Sequence, residues 1–194
     1  RHLVLFGEYL PFEHTFPFIQ KMAPLGYSCT PGEVSTVFQL EKPRISFSSL
    51  ICFEDTVAYV ARQSVKNGAR LLINQTNDAW FDGSSAAVQH MAHCVFRCIE
   101  NRVPAVRSAN TGVTCFIDRL GRIDVLEKDG KKTGFADHVI GKVSVPPAGM
   151  GLTFYTLNGD MYFAMPCGIM AALLLCWAVF AARKRTSEHR IMGL

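Results

Sequence analysis

The sequence predicts an α/β domain followed by one membrane-spanning helix. Three observations carry that prediction. Short β-rich runs alternate with segments of helical periodicity. Polar or thiol residues recur at the ends of the predicted strands. Met161 to Ala182 then gives 22 consecutive residues without a charge.

Taken in order, Val34–Leu40 and Arg44–Ile51 alternate in strand fashion. Asp55–Lys66 places Val57, Val60, Ala61, Ser64 and Val65 at helical spacing, and Asn67-Gly68 supplies a stop. Arg70–Asn74 is a short apolar strand. Ser84 or Ser85 can cap a helix to about Asn101, with Val88, Met91, Val95 and Cys98 on one face. Pro104–Asn110 and Gly112–Asp118 are β-rich, and Asp118-Arg119-Leu120-Gly121 is a turn between strands. Ile123–Leu126 and Val139–Val145 are further strands, and Pro146-Pro147 opens a linker. Met22–Gly32 is a Gly- and Pro-containing loop made unusually apolar by Met22, Leu25 and Tyr27, which suits it to packing on the core or, beside a bilayer, to touching lipid.

The uncharged stretch, as a helix, would rise about 33 Å, enough for a hydrocarbon core of about 30 Å. Arg183, Lys184 and Arg185 follow at once and set a cytoplasmic C-terminus by the positive-inside rule. Residues 1–160 then lie on the opposite side, the periplasm of a Gram-negative cell.

Composition excludes several classes. With 49% hydrophobic residues the chain can bury a core, which argues against intrinsic disorder. A balance of 20 Lys+Arg against 16 Asp+Glu gives only +4, too scattered for a nucleic-acid binder. There are no repeats. The chain opens at Arg1 on an apolar run, and reads as a piece whose N-terminal part lies elsewhere.

The cysteines number seven, without a C-x-x-C pair, so neither a disulfide framework nor a structural metal is expected. His90 and His93 lie three apart with no partner that completes a zinc spacing, and no cofactor is expected. No G-x-S-x-G sequence supports a serine hydrolase.

Cys52 stands apart. It closes a predicted strand and immediately precedes a helix, which is the layout of an exposed nucleophile at a sharp turn. Glu8 follows another apolar run, and Glu54 follows Cys52 by two positions. Asn74, Asn77 and Asp78, with Trp80 and Phe81 beyond, end one strand, and Asn110 ends another. In open α/β sheets, ligand sites collect at such carboxyl ends.

These segments resemble a known family. His2-Leu3-Val4-Leu5-Phe6-Gly7-Glu8-Tyr9-Leu10-Pro11 is similar to the HLVPFGEYVP segment of the apolipoprotein N-acyltransferases, with Leu5 in place of Pro. Ile51-Cys52-Phe53-Glu54 resembles their ICYE motif, and Asn77-Asp78-Ala79-Trp80-Phe81 matches NDAWF. Glu100–Pro104 and Asn110–Thr114 resemble ENGRP and TNTGVT. Thr153-Phe154-Tyr155 and Gly159-Asp160 resemble the stretch before the last membrane helix. The likeness covers nearly the whole chain.

That family belongs to the nitrilase, or carbon–nitrogen hydrolase, superfamily. The resemblance implies an α-β-β-α sandwich, incomplete at its N-terminus, with a Glu-Lys-Cys triad. Residues 1–150 would be the C-terminal part of the catalytic domain. Residues 151–160 would be a linker, 161–182 the membrane helix and 183–194 a cytoplasmic tail. Cys52 would be the nucleophile, and the triad's Glu and Lys would lie upstream of Arg1. Glu8 matches a further active-site carboxylate, Glu54 the acidic residue of the motif, and Phe53 would offer its backbone N–H to an oxyanion. Trp80, Phe81, Asn77 and Asn110 are the candidate substrate contacts. The implied reaction moves an acyl chain from a membrane phospholipid to Cys52, then to the α-amine of a diacylglyceryl-lipoprotein at the inner membrane. A piece lacking the triad Glu and Lys would be inactive alone. Two other readings stay open: a membrane-tethered amidase or nitrilase for a small C–N substrate, and a non-catalytic anchored module.

Overall fold

The computed structural model describes residues 2–5, 7–13, 15–18, 21 and 28–192. It divides into two compact units, Arg1–Leu157 and Asn158–Leu194. Met22, Leu25 and Tyr27 of the expected apolar loop lie outside the described residues.

The first unit is built on a six-stranded mixed sheet in sequential order. β1 (Phe38–Leu40) pairs antiparallel with β2 (Ile45–Ile51), and Phe38 stacks on its register partner Phe47 at 5.2 Å. β2, β3 (Leu71–Thr76) and β4 (Ala105–Ala109) run parallel. β5 (Cys115–Ile117) and β6 (Ile123–Val125) return antiparallel. The two parallel steps are bridged by α1 (Ala58–Lys66) and α2 (Ala86–Asn101). Two right-handed crossovers moving the same way along a sheet put both helices on one face, and the two helices pack against each other.

Between helices and sheet lies the core: Leu50, Leu72, Ala105 and Ile117 from the strands meet Val60, Ala61 and Val65 of α1 and Met91, Cys94 and Cys98 of α2. Strand alternation decides which side chains face inward. In β2 the inward set is Ser46, Ser48 and Leu50, all buried. Register then carries one inward row across the sheet, from Leu50 through Asn74 and Arg107 to Cys115. Two polar residues, Asn74 of β3 and Arg107 of β4, therefore sit in the helix-facing row.

The described residues thus form one sheet with helices on one face, the mixed α/β arrangement expected of half a nitrilase sandwich. Several details differ from the sequence reading. The helix expected over Asp55–Lys66 is split: a 3-10 turn spans Cys52–Thr56, and α1 begins only at Ala58. On α2, Met91 and Cys98 lie in the core and Val95 packs against it, as expected, but the buried face is wider than the apolar pattern and leaves out Val88. The buried stripe is Ala87, His90, Met91, Cys94, Arg97, Cys98 and Asn101, whereas Val88 is exposed. Val139–Val145 forms no strand. At Gly141 the backbone runs against the ring of Phe116.

Beyond Pro146-Pro147 the linker is pinned. Thr153 Oγ1 donates to the Glu100 carbonyl at 2.6 Å, and Thr156 Oγ1 donates to Asn101 Oδ1 at 2.9 Å. A short helix α3 (Phe154–Asn158) carries these contacts where only extended chain was expected.

The second unit is dominated by α4 (Met161–Met192), whose stretch Met161–Ala181 is 21 residues long and apolar enough to cross a membrane. None of its most apolar window is buried, as befits lipid-facing residues. The helical backbone continues past Arg183–Arg185 instead of ending at Ala182.

Candidate active site

Cys52 sits where β2 ends and the 3-10 turn begins, with its side chain half-buried. Its φ is +48°. Residues bearing a Cβ adopt this left-handed region rarely, and strain of this kind collects at functional sites. The turn is fastened on several sides. Glu54 accepts from the Ile51 N–H at 2.9 Å and from the His2 N–H at 3.0 Å. Thr56 Oγ1 donates to the Phe53 carbonyl at 2.8 Å. The Phe53 N–H lies in the first turn, where no intrahelical acceptor exists.

The other thiols are of a different kind. All seven cysteines are unbridged. Cys94, Cys98 and Cys115 are core residues. The hydrogen bond with Cys94, which favours the protonated thiol, and burial push Cys98 far up, and burial pushes Cys115 up to about 12. Such thiols stay protonated and inert.

Directly behind the Cys52 turn lies a cluster of four buried charges, unforeseen from the sequence. Asp55 comes from the turn, Asp78 from a second 3-10 segment (Asp78–Phe81), His90 from α2 and Arg107 from β4. Arg107 Nη1 is 2.6 Å from Asp55 Oδ2, and Nη2 is 3.0 Å from Asp78 Oδ2. His90 Nε2 lies 2.9 Å from Asp55 Oδ1, off the hydrogen-bonding direction, and Nδ1 lies 3.0 Å from Asp78 Oδ1. Burial alone would lower the His90 pKa, but the two carboxylates outweigh it and push it up to about 9, with Arg107 opposing. For Asp78, burial acts upward and is overcome by the hydrogen bonds from His90 and Thr76, so its pKa is lowered. At neutral pH the quartet is therefore two anions against two cations. Arg107 Nη1 also donates to Asn74 Oδ1, and Asn74 Nδ2 donates to the carbonyls of Leu50 and Cys52, each at 3.2 Å.

A pH prediction follows with a definite sign. A folded-state pKa near 9 against 6.5 gives stability fully present below pH 6.5 and lost as pH rises through about 9. The melting temperature should fall across that window, and fall less in His90→Gln. The buried thiols also disfavour the fold above about pH 8.5, but equally in both proteins. Parallel pH curves for the two would refute the assignment.

The loops beyond β3 and β4 are clamped together. Asn77 Oδ1 caps the second 3-10 segment through the Ala79 N–H and accepts from Asn110 Nδ2 at 2.7 Å. Asn110 Oδ1 accepts from the Asp78 N–H at 3.0 Å. Gly112 closes over this clamp, and any Cβ there would overlap the Asp78 carboxylate. Gly112→Ala should therefore cost about 1–3 kcal/mol, whereas Gly151→Ala, with open space around it, should leave the melting temperature unchanged. Thermal unfolding of the two variants side by side measures this.

The structure brings together most of the residues singled out from sequence. Cys52, Phe53 and Glu54 share one turn, while Asn77 and Asn110 meet at the adjoining strand ends. Phe81 packs edge-on against His90 at 5.6 Å, and Trp80 projects outward, 84% exposed. Glu8 accepts from the Val4 N–H at 2.8 Å within its own turn. Asn77 and Asn110 thus act on each other and on the loop backbone. His90, placed on α2 beside His93, belongs to the charge quartet, while His93 is exposed.

The end of β2 thus carries a thiol at a left-handed strand-to-turn junction, backed by a buried polar cluster on the helix-covered face of the mixed sheet. The chain belongs to the carbon–nitrogen hydrolase family, whose model matches residues 1–142. It is 40% identical, over 97% of its length, to the apolipoprotein N-acyltransferase of Geobacter metallireducens, and covers 34% of that protein. It is 33% identical to apolipoprotein N-acyltransferase 1 of Treponema denticola over 96% of its length, covering 33% of that protein. The chain therefore spans about a third of the length of these curated relatives. Among solved structures, an amidase from Nesterenkonia sp. matches at 17% identity with a TM-score of 0.43, over 60% of this chain and 41% of that one.

Proposed function

We propose that the chain is the nucleophile-bearing part of an apolipoprotein N-acyltransferase, with Cys52 as the acyl-accepting thiol. The observation that supports this most is Cys52 itself: left-handed φ at the end of a parallel strand, followed by a backbone N–H without an intrahelical acceptor.

In the first step the Cys52 thiolate attacks the ester carbonyl of a membrane phospholipid. The C–O bond breaks, a lysophospholipid leaves with a proton, and a thioester remains. In the second step the free α-amine of a diacylglyceryl-cysteine on a lipoprotein attacks that thioester. The amide forms, the amine loses a proton and the thiol is restored. A thioester suits amine acceptors and divides one hard transfer into two easier ones. The Phe53 N–H stabilises the oxyanion of each tetrahedral intermediate. Proton transfer and a second, cationic oxyanion contact fall to the family's Glu and Lys, upstream of Arg1. Glu54 already holds two backbone N–H groups and Glu8 one, which suits them to shaping the turn rather than replacing that base. Trp80 and Phe81 supply apolar surface for an acyl chain. The helix Met161–Ala181 anchors the enzyme in the inner membrane, with residues 1–160 periplasmic and the basic end cytoplasmic.

The test is acyl transfer in detergent from labelled phospholipid to a diacylglyceryl-cysteine peptide. The full-length protein should give N-acylated peptide, and the 194-residue chain alone should give none. Failure of the full-length protein with every phospholipid donor, alongside hydrolysis of small amides, would replace this reading with an amidase.

A further inference from the structure

The nucleophile turn has a brace whose logic goes beyond holding Cys52. Asn74 is fully buried, in the inward row of β3. The orientation of its amide is not free: Arg107 Nη1, which can only donate, lies 2.5 Å from Oδ1. That fixes Nδ2 toward β2, where it donates to the carbonyl oxygens of Leu50 and Cys52. Arg107 is in turn held by Asp55 and Asp78, and both carboxylates are flanked by His90. The amide of Asn74 thus has one orientation, set by a closed and charge-balanced cluster.

The Cys52 carbonyl belongs to the peptide unit that also contains the Phe53 N–H. A trans peptide is planar, with C=O and N–H pointing in opposite directions. Gripping the oxygen from the buried side therefore aims the N–H of Phe53 away from Asn74 and out of the core. Cys52 at φ +48° cannot relax into the extended region without breaking this grip.

We propose that Asn74 is a positioning residue that aims the Phe53 N–H as an oxyanion donor by holding the opposite end of the same peptide, with Arg107 selecting its amide orientation. This rests on the reading of Cys52 as an acyl-accepting nucleophile. Asn74 touches neither the substrate nor the sulfur in this role. Its contribution is to one step, the formation and collapse of a tetrahedral oxyanion.

The experiment separates two reactions of the same thiol in the full-length protein. Thioester formation from phospholipid passes through an oxyanion, while alkylation of Cys52 by iodoacetamide is a direct displacement that forms none. In Asn74→Ala, thioester formation should slow roughly 10²–10³-fold, the scale of one lost oxyanion donor, with alkylation within about threefold of the native rate. Asn74→Ser, smaller in its perturbation, should show the same split if Asn74→Ala does not fold. Asn74→Asp keeps the shape but loses the donor, and should not rescue. Equal slowing of both reactions would reduce Asn74 to a structural support, and no slowing of either would remove it; both overturn the proposal. Cys52→Ala runs alongside. If that variant still forms the acyl adduct, the reading of Cys52 fails. If it forms none while Asn74 variants behave as native, only the role of Asn74 fails.

Discussion

In the full-length protein, Cys52→Ala is expected to abolish the hydroxylamine-sensitive acyl adduct and acyl transfer with it. Removing a nucleophile that works in concert with a base costs on the order of 10⁶-fold, because the partner residues have nothing left to act on. The alternatives are poor. Cys94, Cys98 and Cys115 are buried in the core, and Cys167 and Cys176 lie on the apolar helix α4. Cys29 is half-buried, and its N–H bonds the Glu8 carbonyl at 2.8 Å, in a described stretch (residues 28–37) that is irregular coil. Cys29→Ala should therefore keep the adduct. The measurement is peptide mapping of labelled protein after phospholipid treatment. A label retained in the Cys52→Ala protein would overturn the assignment.

The second large effect concerns folding. Arg107→Met removes one cation from a neutral quartet and leaves Asp55 and Asp78 facing only His90, all fully or nearly fully buried. Breaking a buried pair from one side costs about 3–5 kcal/mol. For a domain of this size each kcal/mol moves the melting temperature roughly 2–4 °C, so a drop of about 6–20 °C is expected. Arg107→Lys keeps the charge, but one ammonium cannot reproduce the forked contacts to Asp55, Asp78 and Asn74. It should fall between the two. Adding Asp78→Asn to Arg107→Met removes the stranded charge and should recover part of the loss. A native melting temperature in Arg107→Met would show that the cluster carries no stability.

How far the sequence foretold this depends on which pattern each element obeys. β2, β3 and α1 follow simple alternation or helical spacing of apolar residues, and their positions are close to those read from sequence. α2 does not. Its buried stripe includes His90, Arg97 and Asn101, which a hydrophobic pattern assigns to the solvent side. They are inside because each has a partner from another element: His90 the two aspartates, Arg97 the Thr56 carbonyl, Asn101 the Thr156 hydroxyl. The same holds for Arg107, which shares an inward row with Leu50. A local signal did exist: charged residues at inward spacing on two consecutive elements, with two aspartates just after the neighbouring strands. Motif likeness marked Cys52, Glu54, Asn77 and Asn110 as a group, yet it said nothing of the geometry between them. That two asparagines clamp each other depends on where β3 and β4 end side by side, which only pairing register fixes.

The parallel register also has a consequence for the order of assembly. Every member of the brace, from Leu50 through Asn74, Asp78 and His90 to Arg107, together with Gly112 against Asp78, falls between β2 and the start of β5. Chains are made from the N-terminus, and segments fold as their partners emerge. The parts that shape the Cys52 turn are thus all synthesised before Met161, the first residue of the apolar helix. The Cys52 turn and its charged support can close while the long apolar helix is still being made, so the local geometry of that turn does not wait on the C-terminal segment.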